Sequence, residues 1–238
     1  MHLLKYLSFI FLFCLVPFSF ISAENDEYFK SRQQMVSNQL EYRGIKNTRV
    51  LESMKKVPRH LFVPENLRYA AYEDYPLPIG YKQTISQPYI VALMTESIQP
   101  EPNDRILEIG TGSGYQAAVL SEIVKEVYTI EIVEPLAESA KLKLKKLGYS
   151  NVQVRYGDGF YGWPEEKKFD AIIITASPPK VPEPLINQLK DGGKIIVPLE
   201  EGLWQELTLF TKKNGKLERH DIIPVRFVPM TGDVQKSK

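Results

Sequence analysis

From residue 104 onward, short apolar runs alternate regularly with helix-like segments, and this alternation constrains the fold more than any other feature. Five runs have the length and composition of buried strands: 105–109, 127–132, 152–156, 169–175 and 193–197. Helical periodicity fills three of the intervals: 115–124, 135–147 and 184–189. Alternating strands and helices form a mostly parallel sheet with helices on both faces, so the sequence predicts a doubly wound α/β domain. Ligands of such domains bind beyond the carboxyl ends of the strands.

The residues outside this alternation extend the predicted domain to 24–238. Upstream of the sheet, three helices are expected: over 33–42, from Asn47 or Thr48 to just before Pro58, and near 66–73. A Pro- and Gly-rich loop over 75–81 follows them. Downstream, two further strands are expected over 206–212 and 222–228, joined by an Asn214-Gly215 turn. We therefore expect a helical subregion over residues 28–80 and the sheet over residues 104–232.

The first 23 residues have the pattern of a targeting segment. Lys5 is their single charged residue, an apolar run follows it to the small residues Ser22 and Ala23, and acidic residues begin at Glu24. This pattern is typical of a secretory signal that is cleaved after Ala23, and it predicts an exported, periplasmic protein. An uncleaved membrane anchor is the alternative. Removing residues 1–23 also removes Cys14, the only cysteine, which suits an oxidising compartment.

The overall charge and the metal-ligating residues exclude several classes of partner. The chain has 30 Lys and Arg against 29 Asp and Glu, a formal net charge of +1. Such a chain lacks the electrostatic attraction that nucleic-acid binding requires. One Cys and three His are too few to suggest a Cys/His metal cage. No nucleic-acid partner and no metal are therefore expected.

A glycine loop follows the first strand of the alternation and precedes a helix. Its pattern runs Glu108-Ile-Gly110-Thr-Gly112-Ser-Gly114. Glycines let the chain turn sharply and let a ligand lie against the backbone. The loop lacks the Gly-Lys-Ser/Thr of a phosphate loop, and Tyr115 replaces the third glycine of the dinucleotide fingerprint, which disfavours a nicotinamide-dependent oxidoreductase. A tight structural turn is the alternative.

The next two strands end in residues that suit a nucleoside. Glu131 ends the second strand, where a carboxylate accepts hydrogen bonds from ribose hydroxyls. Asp158 and Gly159 follow the third strand, and Asp158 is a candidate acceptor for the exocyclic amine of an adenine. The alternative for Glu131 is a solvated strand end, and the alternative for Asp158 is an ordinary Gly-Asp-Gly turn. Together these strand ends predict a nucleoside cofactor without pyrophosphate, and S-adenosylmethionine fits, with Glu108 near its amino acid end.

Six segments make the chain resemble one known family over roughly residues 28–232. They are Pro58-Arg-His-Leu-Phe-Val-Pro64, Ala71-Tyr-Glu-Asp-Tyr-Pro-Leu-Pro-Ile-Gly80, Gln83-Thr-Ile-Ser-Gln-Pro88, Glu108 to Gly114, Gly157-Asp-Gly159 and Arg226-Phe-Val-Pro229. In these segments the chain resembles the protein-L-isoaspartate O-methyltransferases. The resemblance implies a Rossmann-like methyltransferase sheet that binds the cofactor, a helical subregion on the substrate side, and a monomer. It also raises the alternative of a cytoplasmic location, which is usual for the family.

The resemblance also implies roles for individual residues. It makes Ser86 the active-site residue, places Thr84 and Ile85 at the methyl end of the cofactor, and brings Thr231 toward them from the C-terminal segment. From the residues alone, a helix N-cap is the favoured interpretation of Ser86, since Pro88 suits a first helical turn. His60 is expected to be structural, His220 to lie in a turn, and Trp163 to pack.

The implied reaction is methyl transfer from S-adenosylmethionine to the free carboxylate of L-isoaspartyl residues of damaged proteins, with D-aspartyl residues as a second candidate substrate. The methyl ester closes to a succinimide, which reopens partly to normal aspartate, so the implied function is protein repair. The alternative is an exported, non-catalytic peptide-binding protein on the same fold, because the charged cofactor is made inside cells. Lys82 departs from the family pattern, which usually has Gly before Gln-Thr-Ile-Ser, and Pro135 departs from it after Glu131.

Overall fold

A computed structural model describes residues 27–165 and 167–237. The predicted signal or anchor segment, residues 1–23, lies outside the described residues. Among the described helices, none combines the length and the apolar character that a membrane crossing requires.

A seven-stranded sheet forms the centre of the protein. Two short strands, β1 (Leu77–Gly80) and β2 (Gln83–Ile85), precede this sheet in the chain and are not part of it. The strands of the sheet, in chain order, are β3 (Arg105–Ile109), β4 (Glu126–Glu131), β5 (Val152–Tyr156), β6 (Phe169–Ile174), β7 (Leu189–Glu201), β8 (Trp204–Lys213) and β9 (Lys216–Val225). Their spatial order is β5-β4-β3-β6-β7-β8-β9, with β3 to β7 parallel and β8 and β9 antiparallel. The chain starts in the middle, at β3, and winds to β4 on one side and later to β6 on the other. This reversal confirms the doubly wound, mostly parallel sheet.

Helices cover both faces of the sheet because its central strands are apolar on both sides. The helices are α1 (Phe29–Met35), α2 (Thr48–Lys56), α3 (Pro88–Ser97), α4 (Tyr115–Ser121), α5 (Glu134–Lys146) and α6 (Glu183–Gln188). Ile173 belongs to one buried cluster, whereas its neighbours Ile172 and Ile174 belong to a second one. Successive side chains of a strand point to opposite faces, so the two clusters are the two layers between sheet and helices.

The N-terminal subregion is helical, as predicted, but it ends in a small hairpin where the sequence predicts a loop. In place of the expected loop over 75–81, β1 (Leu77–Gly80) pairs antiparallel with β2 (Gln83–Ile85). Tyr81 and Lys82 form the two-residue turn, with φ values of 52° and 58°. Such turns need positive φ at both positions and strongly favour Asn and Gly, so a Tyr-Lys turn carries little sequence signal.

The C-terminal part differs from the prediction in its strand limits. The β9 strand spans Lys216–Val225 rather than 222–228, and the Asn214-Gly215 turn lies between β8 and β9 as expected. His220 lies within β9 opposite Leu209, so its predicted place in a turn was wrong. Beyond β9 the chain crosses back over the sheet, where Ser177 bridges to Pro229.

Candidate active site

A cleft opens at the carboxyl ends of β3, β4 and β6, where the strand order reverses. Its empty volume is about 600 Å³, with the open solvent at its mouth included. It is lined by the glycine loop, by residues 130–133, 175–176 and 228–231, by Gly159, and by Gln83 and Thr84 of β2. Where the strand order of such a sheet reverses, the loops diverge to opposite faces and leave a crevice between them. The sequence predicted a ligand at this place.

The glycine loop fits tightly under the end of β6. Gly110 has φ 99°, and a Cβ at this position would collide with Oγ1 of Thr175. That hydroxyl donates a hydrogen bond to the Gly110 carbonyl at 2.7 Å. Thr175 was not among the predicted site residues, although it ends the most apolar predicted strand. A polar residue at the carboxyl end of a central strand was the available signal.

Glu131 connects the glycine loop to the end of β4. It lines the cleft, and it is buried, with 5% of its surface exposed. One carboxylate oxygen accepts the backbone N–H of Gly112 at 2.7 Å and the other accepts that of Val133 at 2.9 Å. A carboxylate has about four acceptor sites, so these two bonds leave room for two donors from the cleft.

Glu108 is a buried carboxyl without a partner. Its side chain is fully buried, and neither carboxyl oxygen forms a hydrogen bond within the described part of the chain. It lines a second cavity of about 330 Å³, which shares Gly110 and Gly112 with the cleft. Burial raises the pKa of Glu108 to about 8 against the opposing effect of the nearby Thr129 hydroxyl, and the Glu131 carboxylate adds to the rise. Such a group favours a cationic ligand that supplies the missing hydrogen bonds.

Ser86 lies between this second cavity and an open groove. The groove holds about 1130 Å³ of empty volume and runs along residues 223–228, with Gln87 and Ile90 on the opposite side. Ser86 lines both the groove and the Glu108 cavity, while Thr84 and Thr175 line these two and the cleft as well. The three spaces therefore adjoin one another at Thr84 and Thr175.

The structure does not support the alternative interpretation of Ser86 as a helix cap. Helix α3 starts at Pro88 with Gln87 at the N-cap position, and no side chain caps it. The Ser86 side chain thus lies one residue too early to satisfy the first N–H groups of the helix.

The other predicted site residues divide into those that line the cavities and those that support them. Gly112, Gly159 and Thr231 line the cleft, and Ile85 lines the Glu108 cavity. Gly114 instead precedes α4 with φ 89° and packs against α5.

Asp158 is a predicted site residue whose carboxylate contacts the backbone. It is absent from the residues that line the cleft, and its two carboxylate oxygens accept the backbone N–H groups of Phe160 and Asp233 at 2.9 and 2.7 Å. A carboxylate has about four acceptor sites, so these two bonds leave room for an adenine amine, and the expected contact stays a prediction.

Residues that were expected to be structural lie outside these cavities. His60 is buried, stacks on Tyr28 and bonds to the Tyr72 hydroxyl at 2.8 Å. Trp163 is buried and packs edge-on against Tyr128. Across the described residues, no group of three or more His, Cys, Asp or Glu has a metal-binding arrangement.

A comparison with protein families identifies this arrangement. The model of the family described as protein-L-isoaspartate(D-aspartate) O-methyltransferase matches residues 30–235, which is most of the chain. The chain belongs to this family.

Individual relatives agree with this assignment. Protein-L-isoaspartate O-methyltransferase 2 of Shewanella sediminis is 54% identical over 216 residues, which covers 90% of this chain and 88% of the relative. Protein-L-isoaspartate O-methyltransferase of Opitutus terrae is 55% identical over 201 residues, covering 84% and 86%.

Solved structures of protein-L-isoaspartate O-methyltransferases share the fold. One has a TM-score of 0.77 and 32% identity, covering 85% of this chain and 67% of the other. A second, from Plasmodium falciparum and in complex with S-adenosyl-L-homocysteine, has a TM-score of 0.74 and 29% identity, covering 84% and 98%. The family assignment thus confirms the Rossmann-like methyltransferase sheet implied by the sequence.

The raised pKa of Glu108 predicts how the stability of the ligand-free methyltransferase depends on pH. The ordinary pKa of this carboxyl is 4.5, against about 8 in the folded protein. Between these values the folded state retains a proton that the unfolded chain has lost, so this group makes stability fall as pH rises. In Glu108→Gln this fall is expected to disappear. Urea unfolding at several values between pH 5 and pH 8.5 measures the free energy of unfolding and so the size of this fall.

The matched control is Glu65→Gln, because the Glu65 side chain is 87% exposed. It should retain the pH dependence of the wild type. An unchanged pH dependence in Glu108→Gln would show that Glu108 is ionised in the folded protein.

Proposed function

We propose that this protein transfers a methyl group from S-adenosylmethionine to the free carboxylate of L-isoaspartyl residues in damaged proteins. The observation that carries the proposal is the meeting of three spaces at Thr84 and Thr175: the cleft, a cavity with an unpaired buried carboxyl, and the groove. A cofactor in the first two spaces would point its reactive end toward a peptide in the third. The family membership and the bound S-adenosyl-L-homocysteine of the Plasmodium falciparum relative support the same function.

The residues of the cleft fit this cofactor. The free acceptor sites of Glu131 would bind the two ribose hydroxyls, and the orphaned oxygens of Glu108 would bind the ammonium of its amino acid end. The glycine loop would let the cofactor lie against the backbone, with Thr231 and Gly159 on the opposite side. When bound, S-adenosylmethionine supplies a methyl group activated by attachment to a positively charged sulfur.

The role of Ser86 would be to orient the attacking carboxylate. An isoaspartyl carboxylate is already ionised at neutral pH, so the reaction needs no general base. The carboxylate that Ser86 orients would accept the methyl group through one oxygen as the bond from the methyl carbon to sulfur breaks, and the electron pair of the broken bond would stay on sulfur. The Ser86 hydroxyl would donate a hydrogen bond to the other carboxylate oxygen and hold the attacking one in line, which is a proximity contribution.

The shape of the groove suits a peptide rather than a small metabolite. It is open along one side and lies between β9 and α3, so a chain can enter without a free end. D-Aspartyl residues are a second proposed substrate, in keeping with the family description. The methyl ester would close to a succinimide and reopen partly to normal aspartate. The non-catalytic peptide-binding alternative leaves the unpaired carboxyl of Glu108 without a use.

We also propose that residues 1–23 direct export and that residues 24–238 form a single methyltransferase domain, active as a monomer. The uncharged run between Lys5 and Glu24 supports export. The same segment as an uncleaved anchor, and a cytoplasmic location, are the competing proposals. N-terminal sequencing of the native protein from separated cell fractions distinguishes the three.

The substrate proposal predicts discrimination between two peptides that differ in one linkage. Residues 24–238 should methylate an isoaspartyl peptide in the presence of radiolabelled cofactor. The aspartyl peptide of the same sequence should be labelled at background level, because its side-chain carboxylate lies one methylene farther along the branch and cannot align. Equal labelling of the two peptides would overturn the proposal, as would the absence of labelling in both.

The proposed role of Ser86 predicts a kinetic separation. Ser86→Ala should lower kcat by about tenfold to a hundredfold, as expected for loss of a hydrogen bond to a charged group. Its Kd for S-adenosylhomocysteine should change much less than kcat, since Ser86 lines the Glu108 cavity and the groove but not the cleft that would hold the nucleoside. Single-turnover kinetics measures the rate of methyl transfer, and isothermal titration measures the Kd. Ser97→Ala, a change in the last turn of α3, is the matched control and should leave both unchanged.

A further inference from the structure

The groove beside Ser86 is positively charged, although the chain as a whole is nearly neutral. Of the described residues that line the groove, two are charged, and both are arginines, Arg43 and Arg226. The other lining residues are apolar or carry uncharged polar groups. The whole chain has a formal net charge of +1, so the charge of the groove is a local property. A local excess of one sign attracts ligands of the opposite sign.

Arg43 belongs to the wall that α3 forms, and its guanidinium is held in place. Its Nη1 forms an ion pair with Asp74 at 2.8 Å. The guanidinium carbon lies 3.4 Å from the ring centroid of Tyr89, in the first turn of α3. A guanidinium has five N–H donors, and this ion pair uses one of them. The remaining donors are positioned before a ligand binds, which lowers the ordering cost of binding.

Arg226 lies on the opposite wall of the groove, directly after β9. Its backbone position is fixed through the next residue, Phe227, whose N–H and carbonyl both bond to the side-chain amide of Gln205. Arg226 is exposed, and neither a hydrogen bond nor an ion pair joins its side chain to another described residue. Its charge is therefore available to a ligand in the groove.

We propose that Arg43 and Arg226 are specificity-determining residues, which favour isoaspartyl sites that have acidic residues beside them in the polypeptide. Ser86 lines the same groove, so a peptide with its isoaspartyl carboxylate at Ser86 places the neighbouring side chains along the two walls. Acidic neighbours pair with the arginines, and basic neighbours are repelled by them. This inference rests on the proposed function for the identity of the reacting residue.

Three isoaspartyl peptides that differ only in the two neighbours of the isoaspartyl residue test the preference. Both neighbours are Glu in the first peptide, Gln in the second and Lys in the third. At low ionic strength, KM should be about threefold to tenfold lower for the Glu peptide than for the Gln peptide, the gain expected from two exposed ion pairs. It should be highest for the Lys peptide. The kcat values should be alike, because these contacts are the same in the bound substrate and in the transition state.

Charge changes at the two arginines test which residues cause the preference. In Arg43→Gln and Arg226→Gln the ratio of KM between the Lys and Glu peptides should fall, and Arg226→Glu should lower it further than Arg226→Gln does. Arg155→Gln is the matched control, because it removes the same charge from β5, at the opposite end of the sheet from β9. It should keep the wild-type ratio, and an equal fall in this control would refute the proposal. Thermal unfolding shows whether each variant is folded.

Two further outcomes would overturn the inference. Equal KM values of the three peptides in the wild type would show that the groove does not select by charge. A rise in KM by the same factor for all three peptides in Arg226→Gln would show that this arginine binds the reacting carboxylate and not its neighbours. In the wild type, the preference should also shrink when the salt concentration is raised to 1 M, where charges are screened over about 3 Å.

Peptide binding separates this inference from the proposed function. With S-adenosylhomocysteine present, which has no methyl group to transfer, fluorescence anisotropy measures the Kd of each labelled peptide. If the wild type methylates none of the peptides, the proposed function fails, and a lower Kd for the Glu peptide than for the Lys peptide retains the charge preference. Methylation of all three peptides with equal KM and equal Kd retains the proposed function and refutes the preference.

Discussion

The interaction on which the site depends is the pair of hydrogen bonds that Glu131 accepts from Gly112 and Val133. It joins the loop after β3 to the loop after β4, so that the carboxyl ends of these two neighbouring strands form a common wall of the cleft. The glycines make this possible, since the loop backbone approaches Thr175 and Ile79 more closely than side chains allow. A cleft of defined shape therefore exists before a ligand binds, and binding does not have to organise it.

The same compactness explains the unusual state of Glu108. A buried carboxyl without hydrogen-bond partners destabilises a folded protein, and here its raised pKa keeps it protonated over much of the neutral range. The free protein thus holds an unfavourable group at a place where a cationic ligand would make it favourable. Binding energy and stability are linked at this one side chain, which is a common property of functional sites.

The sequence predicted the sheet more accurately than the parts around it, for a local reason. Strands buried on both faces read as continuous apolar runs, so β3, β4 and β6 were placed to within a residue. The β1–β2 hairpin was missed because Tyr81 and Lys82 adopt positive φ without the glycine or asparagine that usually marks such a turn. The extent of β9 was misjudged because its early residues are polar and largely exposed to solvent.

For the site, the sequence by itself determined which chemical groups are present and at which strand ends they lie. Periodicity locates the strands and their carboxyl ends, so the positions of Glu108, Glu131 and the glycine loop follow from the sequence alone. The tertiary structure decided what these groups face. It left Glu108 unpaired, directed Asp158 to backbone N–H groups, and brought Thr175 and residues 228–231 into the wall of the cleft. Hydrogen-bond partners 75 residues apart in the chain leave no local periodicity, and only the packed fold brings them into contact.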